Sequence, residues 1–264
     1  MLTINMKRGF KSMEKGFRKA VIIFIDILGS QNRENFDDWY NIMRIFSESV
    51  NREKDLDRAH SWTIYKREIH VFSDCAYIIY DYKEGVEEDK KNMNALMCIA
   101  CYNTEKVIYK FLENEFLARG AITYGDIYYD NEKNIWFGPG MNKAYSLENK
   151  KARFPRIIID PEYVHGLIEY NEKIYRDSEI NRVTNREIIK KDKDGIYYLN
   201  YLNSIPFIQD ADKTATKILW LCENERHKER KSEKEFKSIK EKYDWLENYL
   251  KDFFEIEDVY ENHL

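Results

Sequence analysis

Residues 21–30 read VIIFIDILGS, a run of β-branched and aromatic side chains closed by Gly29 and Ser30. Such composition predicts a buried central strand over Val21 to Leu28, ended by a tight turn. Asp26 stands inside the run. A carboxylate among apolar neighbours is costly unless it is paired or holds a cation, so Asp26 is a candidate for chemistry. Its other reading is a turn or N-cap residue for the helix that follows. Downstream, Phe36, Trp39, Tyr40, Met43, Phe46 and Val50 recur at three- and four-residue steps, the stripe of an amphipathic helix.

Further out, Trp62 to Phe72 and Cys75 to Tyr82 are strand-like and separated only by Ser73 and Asp74, which predicts a hairpin with Asp74 at its tip. A helix is expected from about Glu87 to Leu112, a strand from Phe116 to Tyr129 and a short strand from Asn134 to Phe137. Gly138-Pro139-Gly140 then leads into a helix from about Met141 to Lys150, and Arg156 to Ile159 is strand again. This order, β-α-β-β-α-β-β-α-β, predicts an α+β sandwich: one open sheet with helices packed on a face, in place of a doubly wound parallel sheet. Beyond about residue 172 the character changes. Ile174 to Asp194 reads as a charged connection, Gly195 to Asn203 as a strand, and Asp212 to Tyr249 as long helices of mixed charge with a solvated face. The expected division is a core domain over residues 18–172 and an extension over residues 173–264 that packs on the core or extends a dimer.

The 264 residues are 43% hydrophobic and 15% aromatic, with only 10 Gly and 4 Pro, which excludes a disordered polymer. Lys and Arg number 43 against 47 Asp and Glu, so an electrostatic coat for nucleic acid is not expected. The apolar run Ala20 to Ile25 is far short of the roughly 20 residues a membrane helix needs. The basic N-terminus has no small-residue cleavage site after it, and four cysteines are too few for a disulfide scaffold, so a cytoplasmic protein is expected.

If the hairpin strands flank the central strand, Asp26 and Asp74 meet at one edge of the sheet. Oxygen ligands so arranged suit Mg²⁺ or Mn²⁺, ions commonly held by one or two carboxylates together with substrate phosphates. The Gly29-Ser30 turn into a helix is in addition an anion site, because the backbone N–H groups of a helix start point outward. Together these features suggest a nucleoside triphosphate.

Here the sequence resembles the class III nucleotidyl cyclases, including the bacterial pyrimidine (uridylate and cytidylate) cyclases of anti-phage Pycsar signalling. Phe24-Ile-Asp-Ile-Leu-Gly29 is similar to that family's first metal motif and Val71-Phe-Ser-Asp74 to its second. Arg119-Gly120-Ala-Ile-Thr-Tyr-Gly125-Asp126 resembles its glycine-containing strand. Gly138-Pro-Gly-Met-Asn142-Lys-Ala144-Tyr-Ser-Leu147-Glu148 resembles the loop and helix that carry a transition-state asparagine. The likeness covers roughly residues 18 to 165.

The resemblance implies a ferredoxin-type (palm) sandwich and a two-metal site, with Asp26 and Asp74 as ligands of Mg²⁺ or Mn²⁺. The ribose 3′-oxygen would attack the α-phosphorus and release pyrophosphate. Asn142 would orient the ribose from the opposite chain of a homodimer, and a separate effector would read the cyclic product. Ile27, Gly29, Ser30 and Lys143 are expected to contact substrate. Where the family's transition-state arginine usually stands, this chain has Ser146, so the cation at the α-phosphate is expected from Arg153, Lys143 or Arg119, in that order. His70 stands where purine cyclases often have lysine, and no acid lies near Asn134 to Trp136. A pyrimidine base is therefore favoured, with Tyr65, Arg67 and His70 as pocket candidates.

Other readings remain open: a purine cyclase, a cyclase-like domain that binds without turnover, or an oligonucleotide-forming enzyme of the related palm fold. Cys98 and Cys101 form a mid-helix C-x-x-C with no second pair, which reads as core packing. His165 is expected to be structural, and Gly138-Pro-Gly140 lacks the Lys-Ser/Thr of an NTPase phosphate loop.

Overall fold

The computed structural model describes residues 16–30, 33–175, 187–203, 211–228 and 232–254. Its strands are β1 (Arg18–Ile27), β2 (Tyr65–Phe72), β3 (Cys75–Tyr82), β4 (Ala118–Asp130), β5 (Ile135–Phe137), β6 (Ile157–Ile159), β7 (Ile189–Lys191) and β8 (Tyr197–Leu199). The helices are α1 (Phe36–Ala59), α2 (Met93–Glu113), α3 (Pro139–Lys151), α4 (Pro161–Tyr175), α5 (Ala211–His227) and α6 (Glu233–Phe254). The strands form one eight-stranded sheet in the order β2-β3-β1-β4-β6-β8-β7, with β5 paired to β4. Among the described residues, only the β4–β6 pairing is parallel. The α+β class and the element order through β6 agree with the sequence reading.

β1 is central because both of its faces are apolar. Val21, Ile23, Ile25 and Ile27 enter one core cluster, while Ala20, Ile22 and Phe24 enter another on the opposite face. Each of these buried Val, Ile and Phe side chains contributes roughly 1.5–3 kcal/mol. The first face carries most of the helices: Ile42 and Phe46 of α1, Leu96 and Phe111 of α2, Leu167 of α4, Ile218 of α5 and Leu246 of α6 all join its cluster. α3 lies on the other face, where Met141 and Ala144 pack against Ile22 and Phe24. The expectation of helices on a single face thus fits the larger layer, and α3 is set apart because Gly125 and Gly140 let β4 and the helix start nearly touch.

Several boundaries differ from the sequence reading for local reasons. The second helix begins at Met93, because Asn92 caps it by accepting from Ala95 N at 3.0 Å, and Glu88–Lys90 is a separate 3-10 turn. β2 begins at Tyr65 because the preceding residues turn, with Thr63 N donating to the His60 carbonyl at 3.2 Å. Part of the stretch read as a charged connection is strand β7, which pairs with β8; residues 176–186 of that stretch lie outside the described residues. Cys98 and Cys101 are buried in α2, as core packing requires.

The C-terminal helices are fastened to this core. Tyr249 of α6 donates its hydroxyl proton to Asn200 Oδ1 at 2.5 Å and accepts from Leu202 N at 3.1 Å. Trp245 stacks on Phe154 with ring centroids 5.9 Å apart, and its indole N–H donates to Asp192 Oδ2 at 2.7 Å. No helix among the described residues is long and apolar enough to cross a membrane.

Candidate active site

Strand alternation puts Asp26 on the α3 side of the sheet, since Ile22, Phe24 and Asp26 share a face of β1. The β2–β3 hairpin closes in two residues, Ser73 with φ 56° and Asp74. Asp26 stands opposite Cys75 in the ladder, and the next residue, Ile27, donates its N–H to the Asp74 carbonyl at 3.0 Å. Asp74 is therefore the diagonal neighbour of Asp26, and its charge acts on the Asp26 carboxyl. Gly29 adopts φ +75°, a left-handed conformation that a side chain would strain, and turns the chain so that buried Ser30 donates its hydroxyl proton to Asp74 Oδ2.

Arg119 of β4 completes the corner. It lies opposite Asp26 in the β1–β4 ladder, with Nη2 3.0 Å and Nε 3.1 Å from Asp26 Oδ2. Its Nε also lies 2.7 Å from Oε1 of Glu148, which projects from α3 and is 2% exposed. That contact is ionic only: Glu148 Oε1 is buried and accepts no hydrogen bond among the described residues.

The electrostatics follow from this crowding. Burial raises the Asp26 carboxyl above its ordinary value despite Arg119, and Asp74 adds to the rise. Burial likewise pushes Glu148 up to about 7, with Arg119 opposing and Asp26 reinforcing. The charge of half-buried Lys242 of α6 also acts on Asp26. Its ammonium is lowered by burial and by the charge of Arg119, against the pull of Asp26. Cys75 beside the two aspartates is pushed up to about 12 by burial and by their charge, which leaves an inert thiol.

Two converging carboxylates, one of them penalised by burial, are a donor set that fits a hard divalent cation. Among the described residues no cluster of three or more His, Cys, Asp or Glu forms a ready-made metal cage. A Mg²⁺ or Mn²⁺ ion held by Asp26 and Asp74 would take its remaining ligands from backbone oxygen, water and substrate phosphate. A cavity of about 660 Å³ opens on the other side of the Gly29 turn, lined by Leu28 and Gly29, by Phe116 and Leu117 before β4, and by Lys242 and Tyr243 of α6, with Asp26, Asp74 and Arg119 outside its lining. This is within the size range of small-molecule sites.

The structure brings together Asp26, Ile27, Gly29, Ser30 and Asp74 with Arg119, the last of the three cation candidates of the sequence reading. Other expected residues stand elsewhere. Asn142 is exposed near the start of α3, six residues before Glu148 and so about 9 Å further along the helix axis. Lys143 lies 2.6 Å from both Asp160 Oδ2 and Glu162 Oε2. Arg153 is 66% exposed and paired with Glu241 of α6. Strand alternation separates the three β2 candidates. Tyr65 and Arg67 face the α1 side, where buried Arg67 Nε donates to Asp57 Oδ2 at 2.5 Å and Tyr65 packs on Tyr80 at 6.2 Å. His70 faces the other side and stacks on Trp136 at 5.3 Å. Glu148 and Lys242 had no role in the sequence reading. Glu148 could have been found as an acid on the inward stripe of α3, whereas Lys242 carries no local signal.

No sequence-family model matches the chain, and no curated protein matches it. Among solved structures, the guanylyl cyclase Cya2 is similar with a TM-score of 0.38 and 12% identity, covering 58% of this chain and 80% of that one. A bacterial light-regulated adenylyl cyclase is similar with a TM-score of 0.39 and 16% identity, covering 56% of this chain and 44% of that one.

Proposed function

We propose that this chain is a metal-dependent nucleotidyl cyclase that converts a nucleoside triphosphate to a 3′,5′-cyclic mononucleotide and pyrophosphate. The observation that carries the reading is the convergence of Asp26 and Asp74 at the Gly29 turn, with Ser30 bonded to Asp74. Mg²⁺ or Mn²⁺ at these aspartates would activate the 3′-hydroxyl and steady the triphosphate. The chain's own part is to hold the two carboxylates in register, to keep Asp26 ionised beside Arg119, and to orient the phosphates against the turn.

Asn142 lies too far along α3 to serve the corner of its own chain, which supports a homodimer in which Asn142 of a second copy completes each site. A pyrimidine substrate, UTP or CTP, is favoured because His70 stands where a purine-reading lysine would be. The product would then be a cytoplasmic defence signal read by a separate effector. A second reading, binding without turnover, is favoured by Ser146 at the usual arginine position and by the pairing of Arg153 with Glu241. Incubating the dimeric protein with each of the four NTPs and Mn²⁺, with mass analysis of products, tests the assignment. A cyclic mononucleotide from UTP or CTP is expected, no cyclic product from any NTP rejects turnover, and a linear oligonucleotide indicates the intermolecular reaction.

A further inference from the structure

We propose that the β2 edge of the sheet binds single-stranded nucleic acid, with one base stacked on Trp62 and the phosphates held by basic side chains around the strand. The aspartate corner takes no part in this site, which stands apart from the cyclase reading. β2 ends the sheet order, and beside it lies a cavity of about 300 Å³ whose lining carries five basic residues against two acids, Asp57 and Glu68. Both acids are engaged: Asp57 accepts from buried Arg67, and Glu68 from Lys54. The other three cations face no carboxylate of the lining. Lys66 Nζ lies 5.4 Å over the Tyr129 ring, which attracts the charge without neutralising it. Lys83 Nζ donates to the Asp57 and His60 carbonyls at 2.7 and 3.4 Å, covering the negative end of α1. Arg58 meets Asp55 at 4.0 Å in an exposed pair of little weight.

A base platform adjoins these charges. Trp62 is 75% exposed, and its ring stacks on His60 with centroids 4.3 Å apart, which holds the indole flat while most of it stays open. Lys83 joins platform to cavity: its side chain bonds the His60 carbonyl, and its backbone N–H donates to the Ile64 carbonyl at 2.9 Å. A lone exposed ring has no meaning by itself. A pre-oriented ring beside a net positive cavity is the combination that single strands use, stacking for sequence-tolerant affinity and cations for the backbone. Strand alternation favours a polymer over a single phosphate. Arg67 faces the α1 side and Lys66 the α3 side, so positive charge follows the sheet edge around both faces. The near balance of charge over the whole chain is no obstacle, because attraction acts within a Debye length of about 10 Å.

Fluorescence anisotropy of a labelled oligothymidylate of about six nucleotides tests the site on the full chain, with EDTA present so that Asp26 and Asp74 hold no ion. The parent is expected to bind, and Trp62→Ala to weaken binding roughly five- to hundredfold, the range for one stacked base. Trp62→Phe should keep most of the affinity. Replacing Arg58 and Lys66 together by Gln should lower the slope of log affinity against log salt by about 1.4, the value for two phosphate contacts on a single strand. Exposed Lys237→Gln on α6 should change neither. Thermal melts of these variants should match the parent, since none of the replaced side chains is buried. No binding by the parent at low salt, or equal binding by Trp62→Ala, overturns the proposal. Thymidine monophosphate competing as strongly as the unlabelled oligomer would overturn the strand assignment. Cyclisation of NTPs by Trp62→Ala at the parent's rate is expected, so strand binding and turnover are lost or kept independently.

Discussion

Arg119 and Asp26 face each other across the β1–β4 ladder, with Nη2 3.0 Å from Oδ2, so a basic side chain occupies the carboxylate that the cyclase reading assigns to metal. Arg119 and a divalent ion would therefore compete for Asp26. In Arg119→Ala the unpaired Asp26 and Glu148 should lower stability by about 1.5–3 kcal/mol without metal. Mn²⁺ should then raise the melting temperature more than it does in the parent. An equal Mn²⁺ shift in both proteins, measured by scanning fluorimetry, counts against the competition.

Activity should depend on both aspartates. Asp26→Asn and Asp74→Asn are each expected to lower kcat/KM by at least about a thousandfold, because a neutral amide cannot hold the ion that activates the 3′-hydroxyl. Glu84→Gln, exposed beyond the end of β3 away from the hairpin tip, should stay within a few-fold. Retained turnover in either aspartate variant would place the metal elsewhere.

Glu148 sets a pH dependence. Its folded-state pKa is raised from 4.5 to about 7, so between those values the folded chain binds more protons than the unfolded one. Stability from this group is full below about 4.5 and is lost as pH rises toward 7. Glu148→Gln should remove that slope and gain stability on the order of a few kcal/mol at pH 8 relative to the parent. Urea melts of both proteins across pH 5 to 8, with metal chelated, provide the comparison.

Arg67 should matter to folding more than to substrate. Its guanidinium is 3% exposed and ties β2 to Asp57 of α1, so Arg67→Ala strands a buried carboxylate. A loss of about 3–5 kcal/mol is expected in urea denaturation. Relative kcat/KM among the NTPs should not change; an altered nucleotide preference would return Arg67 to the base pocket.

Gly120 has no room for a side chain. A Cβ there would sit 2.2 Å from the backbone oxygen of Phe24, in the middle of the β1–β4 ladder. Gly120→Ala should destabilise by about 4 kcal/mol or more, beyond the usual range of single substitutions. Recovery of soluble, cooperatively melting protein at the parent's yield would contradict it.

The meeting of Asp26 and Asp74 is legible in sequence because it depends on short-range facts: strand alternation, an acid in an apolar run, and a two-residue hairpin. The separation of Tyr65 and Arg67 from His70 is equally a matter of parity along one strand. The rest depends on packing between distant segments. The face chosen by α3, the Arg119–Glu148 contact and the influence of Lys242 on Asp26 all join residues far apart in the chain. No local pattern encodes them. β7 was hidden for a different reason: three residues, Ile189–Lys191, are too few to display a period.

The two-residue turn at Ser73 and Asp74 also limits how this protein can change length. One residue inserted there would slip β3 against β2, send Ile78 and Tyr80 to the face now held by Tyr77 and Ile79, and carry Asp74 away from Asp26. The connection between Asp130 and Ile135 is longer, with Lys133 exposed, and an added residue there leaves the meeting of Asp26 and Asp74 untouched. Insertions and deletions among relatives of this chain should therefore collect at that connection and avoid the hairpin tip, where spacing matters as much as the aspartate itself.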